Sequence, residues 1–164
     1  MPLNLRPDFY VLSLDEIPIL KLKEKGIRGL IIDLDNTLTN WNCHNIEPCV
    51  YKWLMDLNKL GFKTCIVSNN GAKRIEATLV GLNVPFVANA LKPRKRGFLK
   101  AMELMDCQVE NTAIIGDQLF TDILGGKRVG ITTILVAPRS KKEFFGTKFT
   151  RLIERMVLSK MNKK

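Results

Sequence analysis

Residues 29–37 read Gly29-Leu30-Ile31-Ile32-Asp33-Leu34-Asp35-Asn36-Thr37. An unbroken apolar run that ends in turn-forming residues is the pattern of a strand buried on both faces. Asp33 and Asp35 stand where that run ends, and residues i and i+2 of an extended chain point the same way. Two carboxylates so close repel by about 1 kcal/mol in water and several-fold more in a partly buried site, which a cation would relieve. In open parallel sheets, ligands bind beyond the carboxyl ends of the strands. Taken alone, the pair also fits an ordinary turn and helix cap.

Outward from this segment, short apolar runs over 64–68, 86–88, 113–116 and 133–136 read as four more strands. Between them lie helical patterns. Pro48 suits a first helical turn, Val50, Trp53, Leu54 and Leu57 recur at helical spacing, and Gly61 ends the segment. Further helices are expected over 72–82, 97–105 and 119–127. Ahead of the first strand, Ser13-Leu14-Asp15-Glu16 has capping-box spacing and predicts a short helix to Lys25, closed by Gly26. Strands alternating with helices imply an α/β fold: a three-layer, Rossmann-like, five-stranded parallel sheet flanked by helices.

The chain has 164 residues, 46% of them hydrophobic, which fits one domain with a full core. Residues 1–28 form a lead-in and 139–164 a basic end of that single domain. There is no run of roughly 20 apolar residues, and charged residues interrupt the N-terminus, so a cytoplasmic location is expected. Cys43, Cys49, Cys65 and Cys107 form no Cys-x-x-Cys pair and read as free thiols; Cys43, His44 and Cys49 make a poor zinc template.

Three other strand ends carry polar chemistry. Val67-Ser68-Asn69-Asn70 leads into a helix, placing a hydroxyl and backbone N–H groups where a phosphate could be cradled, or where a helix is simply capped. Leu91-Lys92-Pro93-Arg94-Lys95-Arg96 follows the third strand. Its proline keeps the helix from starting before Lys92 and leaves that amine free to reach over the strand tips. Gly116-Asp117-Gln118-Leu119-Phe120-Thr121-Asp122 adds two acids after the fourth strand. Each segment alone has a structural explanation, whereas all four on one rim point to a site.

The ordered set resembles the four motifs of the haloacid dehalogenase superfamily of aspartate-nucleophile phosphohydrolases. Asp33-Leu34-Asp35-Asn36-Thr37, Ser68, Lys92, and Gly116-Asp117 with Asp122 carry the resemblance. The segment 116–126, Thr133-Ile134-Leu135-Val136 and Thr150-Arg151-Leu152-Ile153-Glu154-Arg155 are similar to the capless IIIA group, in particular the YqeG-type phosphatases related to phosphatidylglycerophosphate phosphatases. The resemblance implies a Mg²⁺-dependent phosphatase in which Asp33 is the nucleophile and Asp35 the general acid and base. Ser68, Asn69 and Lys92 would bind the phosphate. Asp33, Asp117 and Asp35, the last by its backbone carbonyl, would hold Mg²⁺. Thr37 would orient Asp33, and Asp122 would steady Lys92 or a metal-bound water.

No room exists for a cap domain between 38 and 68 or between 68 and 92, so the site should be open unless a neighbouring subunit of an oligomer supplies a lid. Open sites suit bulky substrates such as a lipid headgroup, a phosphoprotein or a nucleic-acid end. The formal charge is +10, and residues 139–164 hold nine basic residues against two acidic ones, a net of +7. There Phe149, Leu152, Ile153, Met156 and Val157 form an apolar stripe, which either lies on anionic lipid or packs on the sheet. A lipid-linked phosphate such as phosphatidylglycerophosphate, met at an anionic membrane, is the favoured substrate. Soluble nucleotide, sugar or protein phosphates are the alternative. A nucleic-acid or ribosome-associated binding protein with a vestigial site is the reading from another class; no stacking aromatics or RNA-reading signature supports it.

Overall fold

The computed structural model describes residues 3–41 and 43–139, together with Arg155 and Ser159. Its elements run β1 (Phe9–Val11), α1 (Ile19–Glu24), β2 (Gly29–Ile32), α2 (Pro48–Lys59), β3 (Lys63–Val67), α3 (Ala72–Thr78), β4 (Phe86–Val87), α4 (Lys95–Met105), β5 (Thr112–Gly116), α5 (Leu124–Val129) and β6 (Thr132–Val136). All strand pairs are parallel, in the order β1-β6-β5-β2-β3-β4. The chain leaves the central strand β2 toward β3 and β4, then crosses back to place β5 on its other side. The crevice between β2 and β5 is therefore the switch point where such sheets bind ligands.

The sheet has six strands, not five. β1 lies in the segment read as lead-in and pairs with β6, with Phe9 opposite Ile134. Three residues are too few for a periodicity signal. The strand is instead fastened by Asp8, whose carboxylate accepts the backbone N–H of Thr133 at 2.8 Å, its hydroxyl at 2.9 Å and the Lys127 ammonium at 2.7 Å. The lead-in helix is also shorter than 13–25: a 3₁₀ turn at Leu14–Glu16 precedes Pro18, and α1 starts at Ile19. Proline disfavours helical backbone in the residue before it, which splits the segment.

The apolar faces bury as their spacing requires. β2 and β5 are buried at every residue. Leu30, Ile32, Ile66, Ile115 and Ile134 pack on the side of Val50, Leu54 and Leu57 from α2, while Ile31, Cys65 and Ile114 meet Phe98, Ala101 and Met102 from α4. The predicted helix over 119–127 is built from a π-helical turn, Leu119–Ile123, followed by α5. Gly125 and Gly126 let α5 lie close, because a Cβ on the first would meet Phe98 and on the second Ile114. No additional domain is inserted between β2 and β3 or between β3 and β4 among the described residues. The expected C-terminal amphipathic helix falls outside the described residues, apart from Arg155 and Ser159.

Candidate active site

Register places the acids. Ile32 pairs with Ile115, and the Asp33 N–H donates to the Ile115 carbonyl at 2.9 Å, so Asp33 and Asp117 are each the first residue beyond adjacent strands. Gly116 makes room for the third acid, since a Cβ there would collide with the Asp122 side chain. Asp33, Asp117 and Asp122 are buried, and each offers a carboxylate oxygen within 4.8 Å of the others. Such a group of hard oxygens suits a divalent cation such as Mg²⁺.

Lys92 enters from the opposite side. Its Nζ donates to Asp33 Oδ1 at 2.6 Å and to Asp122 Oδ1 at 2.7 Å, with only 3% of the side chain exposed. Burial favours the neutral amine, yet the charges of Asp122 and Asp33 outweigh it and hold the lysine above its ordinary range. For Asp33 the balance goes the other way. Burial raises its pKa, Lys92 opposes and Asp122 reinforces the rise, which reaches about 6. Lys92 thus pairs with Asp33 and Asp122, and a bound cation would add further positive charge beside the three acids.

Asp35 is not in that acid cluster. Its carboxylate turns toward the start of α3, where the Asn70 amide donates to one oxygen and the Arg74 guanidinium to the other. Arg74 Nη1 also stands 3.4 Å from His44 Nδ1. The turn between Asp33 and Asp35 continues through Asn36, whose φ of 59° is left-handed, a conformation asparagine tolerates better than most residues. Thr37 Oγ1 lies 3.4 Å from both Asp33 Oδ2 and Asp117 Oδ1, bridging the two strand ends.

Ser68 is buried at the end of β3, where its Oγ accepts the N–H and side-chain amide of Asn70, each at 3.1 Å. The Asn69 side chain does not face the acids. Its Oδ1 accepts the Lys92 backbone N–H at 2.8 Å, tying the β3 loop to the β4 loop. All eight predicted site residues therefore gather on one rim, with Asn69 serving by its side chain as a fastener. Asn70 and Arg74 were not anticipated. Asn70 was visible only as a capping candidate, and nothing in the spacing of Arg74 indicates that the first turn of α3 faces Asp35.

Comparisons with known proteins identify the family. A family model described as HAD-hydrolase-like matches residues 89–142. The chain is 40% identical over 158 residues to the probable phosphatase YqeG of Bacillus subtilis, covering 96% of this chain and 92% of that protein. It is 29% identical over 143 residues to the chloroplastic phosphatidylglycerophosphate phosphatase 1 of Chlamydomonas reinhardtii, covering 81% of this chain but only 53% of that relative. Its fold matches the magnesium-bound putative HAD-hydrolase YfnB of Bacillus subtilis with a TM-score of 0.59 and 16% identity, over 74% of this chain and 92% of that one. A parallel sheet with acids at the tips of two neighbouring central strands, faced by a buried lysine, is the core of a HAD-type phosphatase. The chain belongs to the haloacid dehalogenase superfamily, among the phosphatases of the YqeG type.

Proposed function

We propose that the protein is a Mg²⁺-dependent phosphomonoesterase that works through an aspartyl-phosphate on Asp33 and acts on a lipid-linked phosphate such as phosphatidylglycerophosphate. The observation that carries the chemistry is the meeting of Asp33, Asp117 and Asp122 with the Lys92 ammonium at the β2/β5 crevice. The magnesium-bound relative of the same fold supports the choice of metal. Likeness to phosphatidylglycerophosphate phosphatase, together with a site that no inserted domain covers among the described residues, supports the substrate.

In this reading Asp33 and Asp117 would hold Mg²⁺ through carboxylate oxygens and Asp35 through its backbone carbonyl. The ion, when bound, offsets the negative charge of nucleophile and phosphate. An Asp33 oxygen attacks phosphorus in line, and the bond to the leaving alkoxide breaks. Asp35 gives that alkoxide a proton, then takes one from the water that attacks the aspartyl-phosphate, releasing phosphate and restoring Asp33. Lys92, the Ser68 hydroxyl and the Asn69 backbone bind the non-bridging oxygens. Asp122 holds Lys92 in place, and Thr37 steadies Asp33 against Asp117.

Phosphate release from phosphatidylglycerophosphate in mixed micelles, compared with soluble sugar, nucleotide and peptide monoesters, tests the reading. The expected result is preference for the lipid, lost on chelation and restored by Mg²⁺. Equal or better turnover of a soluble monoester would replace the substrate, and turnover unaffected by chelation would remove the metal.

A further inference from the structure

We propose that the face formed by the β4–α4 loop and the first turns of α4 docks on an anionic lipid bilayer and brings the active-site rim to its surface. This rests on the lipid-linked reading above. Leu91, 58% exposed, directly precedes the buried Lys92, and Leu99, 49% exposed, lies one turn into α4. Together with Arg94, Arg96 and Lys100 they line a groove of about 810 Å³. Its acidic member, Glu103, is paired with Lys100 at 3.1 Å. Arginines and lysines around projecting leucines fit a surface that is anionic at the headgroups and apolar beneath.

Leu91 supplies a second, independent observation. Its φ is 54°, a left-handed conformation that costs free energy for any residue with a branched, bulky side chain. Neither backbone preference nor burial accounts for a leucine there. Asparagine or glycine would suit the backbone, and a polar side chain would suit the exposure. The loop is held in this shape: the Arg94 N–H donates to the Leu91 carbonyl at 3.0 Å, the Ala90 N–H to Ser68 at 3.0 Å and the Asn89 N–H to Asn70 at 2.8 Å. An apolar side chain held outward beside the phosphate-facing lysine is the geometry of a small membrane wedge.

Charge argues against other occupants. The chain's own residues 139–164 carry a net +7 and would be repelled by this basic face. Single-stranded nucleic acid would use aromatic side chains for stacking, and none of the described residues that line the groove is aromatic.

The test is co-sedimentation of the full chain with vesicles of phosphatidylcholine alone or mixed with phosphatidylglycerol. Binding to the mixed vesicles only, weakened by salt, is expected. Arg94→Glu with Arg96→Glu should lower partition at least tenfold, and Leu91→Asn with Leu99→Ser several-fold. Leu91→Asn should leave the melting temperature unchanged or raised, and all variants should hydrolyse a soluble monoester at the wild-type rate. Wild-type partition in these variants, or transfer of the effect to RNA binding in place of vesicles, would overturn the proposal. A wild-type chain that does not bind the mixed vesicles yet hydrolyses micellar lipid would sink the docking face and spare the substrate. Intact docking without lipid hydrolysis would do the reverse.

Discussion

The Lys92 ammonium lies 2.6 Å from the Asp33 carboxylate, although the two residues are 59 positions apart in the chain. The contact joins the end of the central strand to the loop after the edge strand, across the end of β3. It thereby links the stability of the rim to the chemistry proposed for it.

Lys92→Met tests that link. Removing one partner of a buried ion pair costs roughly 3–5 kcal/mol because the remaining charge is left uncompensated. Here two acids, Asp33 and Asp122, lose their shared donor. Chemical denaturation in chelator should show a loss of about that size, accompanied by loss of phosphatase activity. Lys92→Arg should not restore activity, since the 3%-exposed ammonium has no space for a guanidinium fork. A stability change within experimental error would show that the pair contributes nothing.

Asp33 makes the metal-free protein sensitive to pH. Its carboxyl shifts from 3.8 to about 6 in the folded state. Between those values the native protein binds more protons than the unfolded chain, so stability falls as pH rises from about 4 to 6, by at most about 3 kcal/mol. A bound cation offsets the cost of ionising the group. Thermal melts should therefore show a larger gain from Mg²⁺ at pH 7 than at pH 5, and in chelator this carboxyl should make the melting temperature higher at pH 5 than at pH 7. A Mg²⁺ effect equal at both pH values would contradict the balance of charge described for the rim.

Arg74 offers a separate handle on Asp35. As the donor to one carboxylate oxygen, beside Asn70 on the other, it positions the proposed acid and base. General acid–base catalysis contributes about 10²–10⁴-fold, and part of that depends on orientation. Arg74→Ala should lower kcat on an alkyl phosphate by about tenfold or more, with KM little changed. In the burst that reports formation of the aspartyl-phosphate, a nitrophenyl phosphate, whose leaving group needs no proton, should lose much less, while hydrolysis of the shared intermediate should slow for both substrates. Equal loss in the burst on both substrates would assign Arg74 a purely structural role.

How far the chain could be read depended on whether a feature is local. Asp33, Asp35 and Asp117 were legible because a buried strand followed by acid is a pattern of consecutive residues, and parallel topology brings such strand ends to one edge. The helix α2 was legible from Pro48, its apolar spacing and Gly61. By contrast, β1 has three residues and exists through contacts with Thr133 and Lys127, more than a hundred positions away. The side chain of Asn69 looked like a cap and fastens Lys92 instead, because the β3 and β4 loops meet only in the folded sheet. Arg74 is not legible for a similar reason: a lone arginine in a short helix gives no sign of what its first turn faces.

The central claim is that Asp33 attacks phosphorus. Asp33→Asn is nearly isosteric and removes the nucleophilic charge, so it should retain the wild-type fold by circular dichroism while phosphate release from a monoester in Mg²⁺ falls at least a thousandfold. Rapid-quench labelling with a ³²P-phosphomonoester should trap acid-stable, hydroxylamine-sensitive phosphate on the wild-type chain and none on the variant. Phosphate release by Asp33→Asn at the wild-type rate would contradict the account.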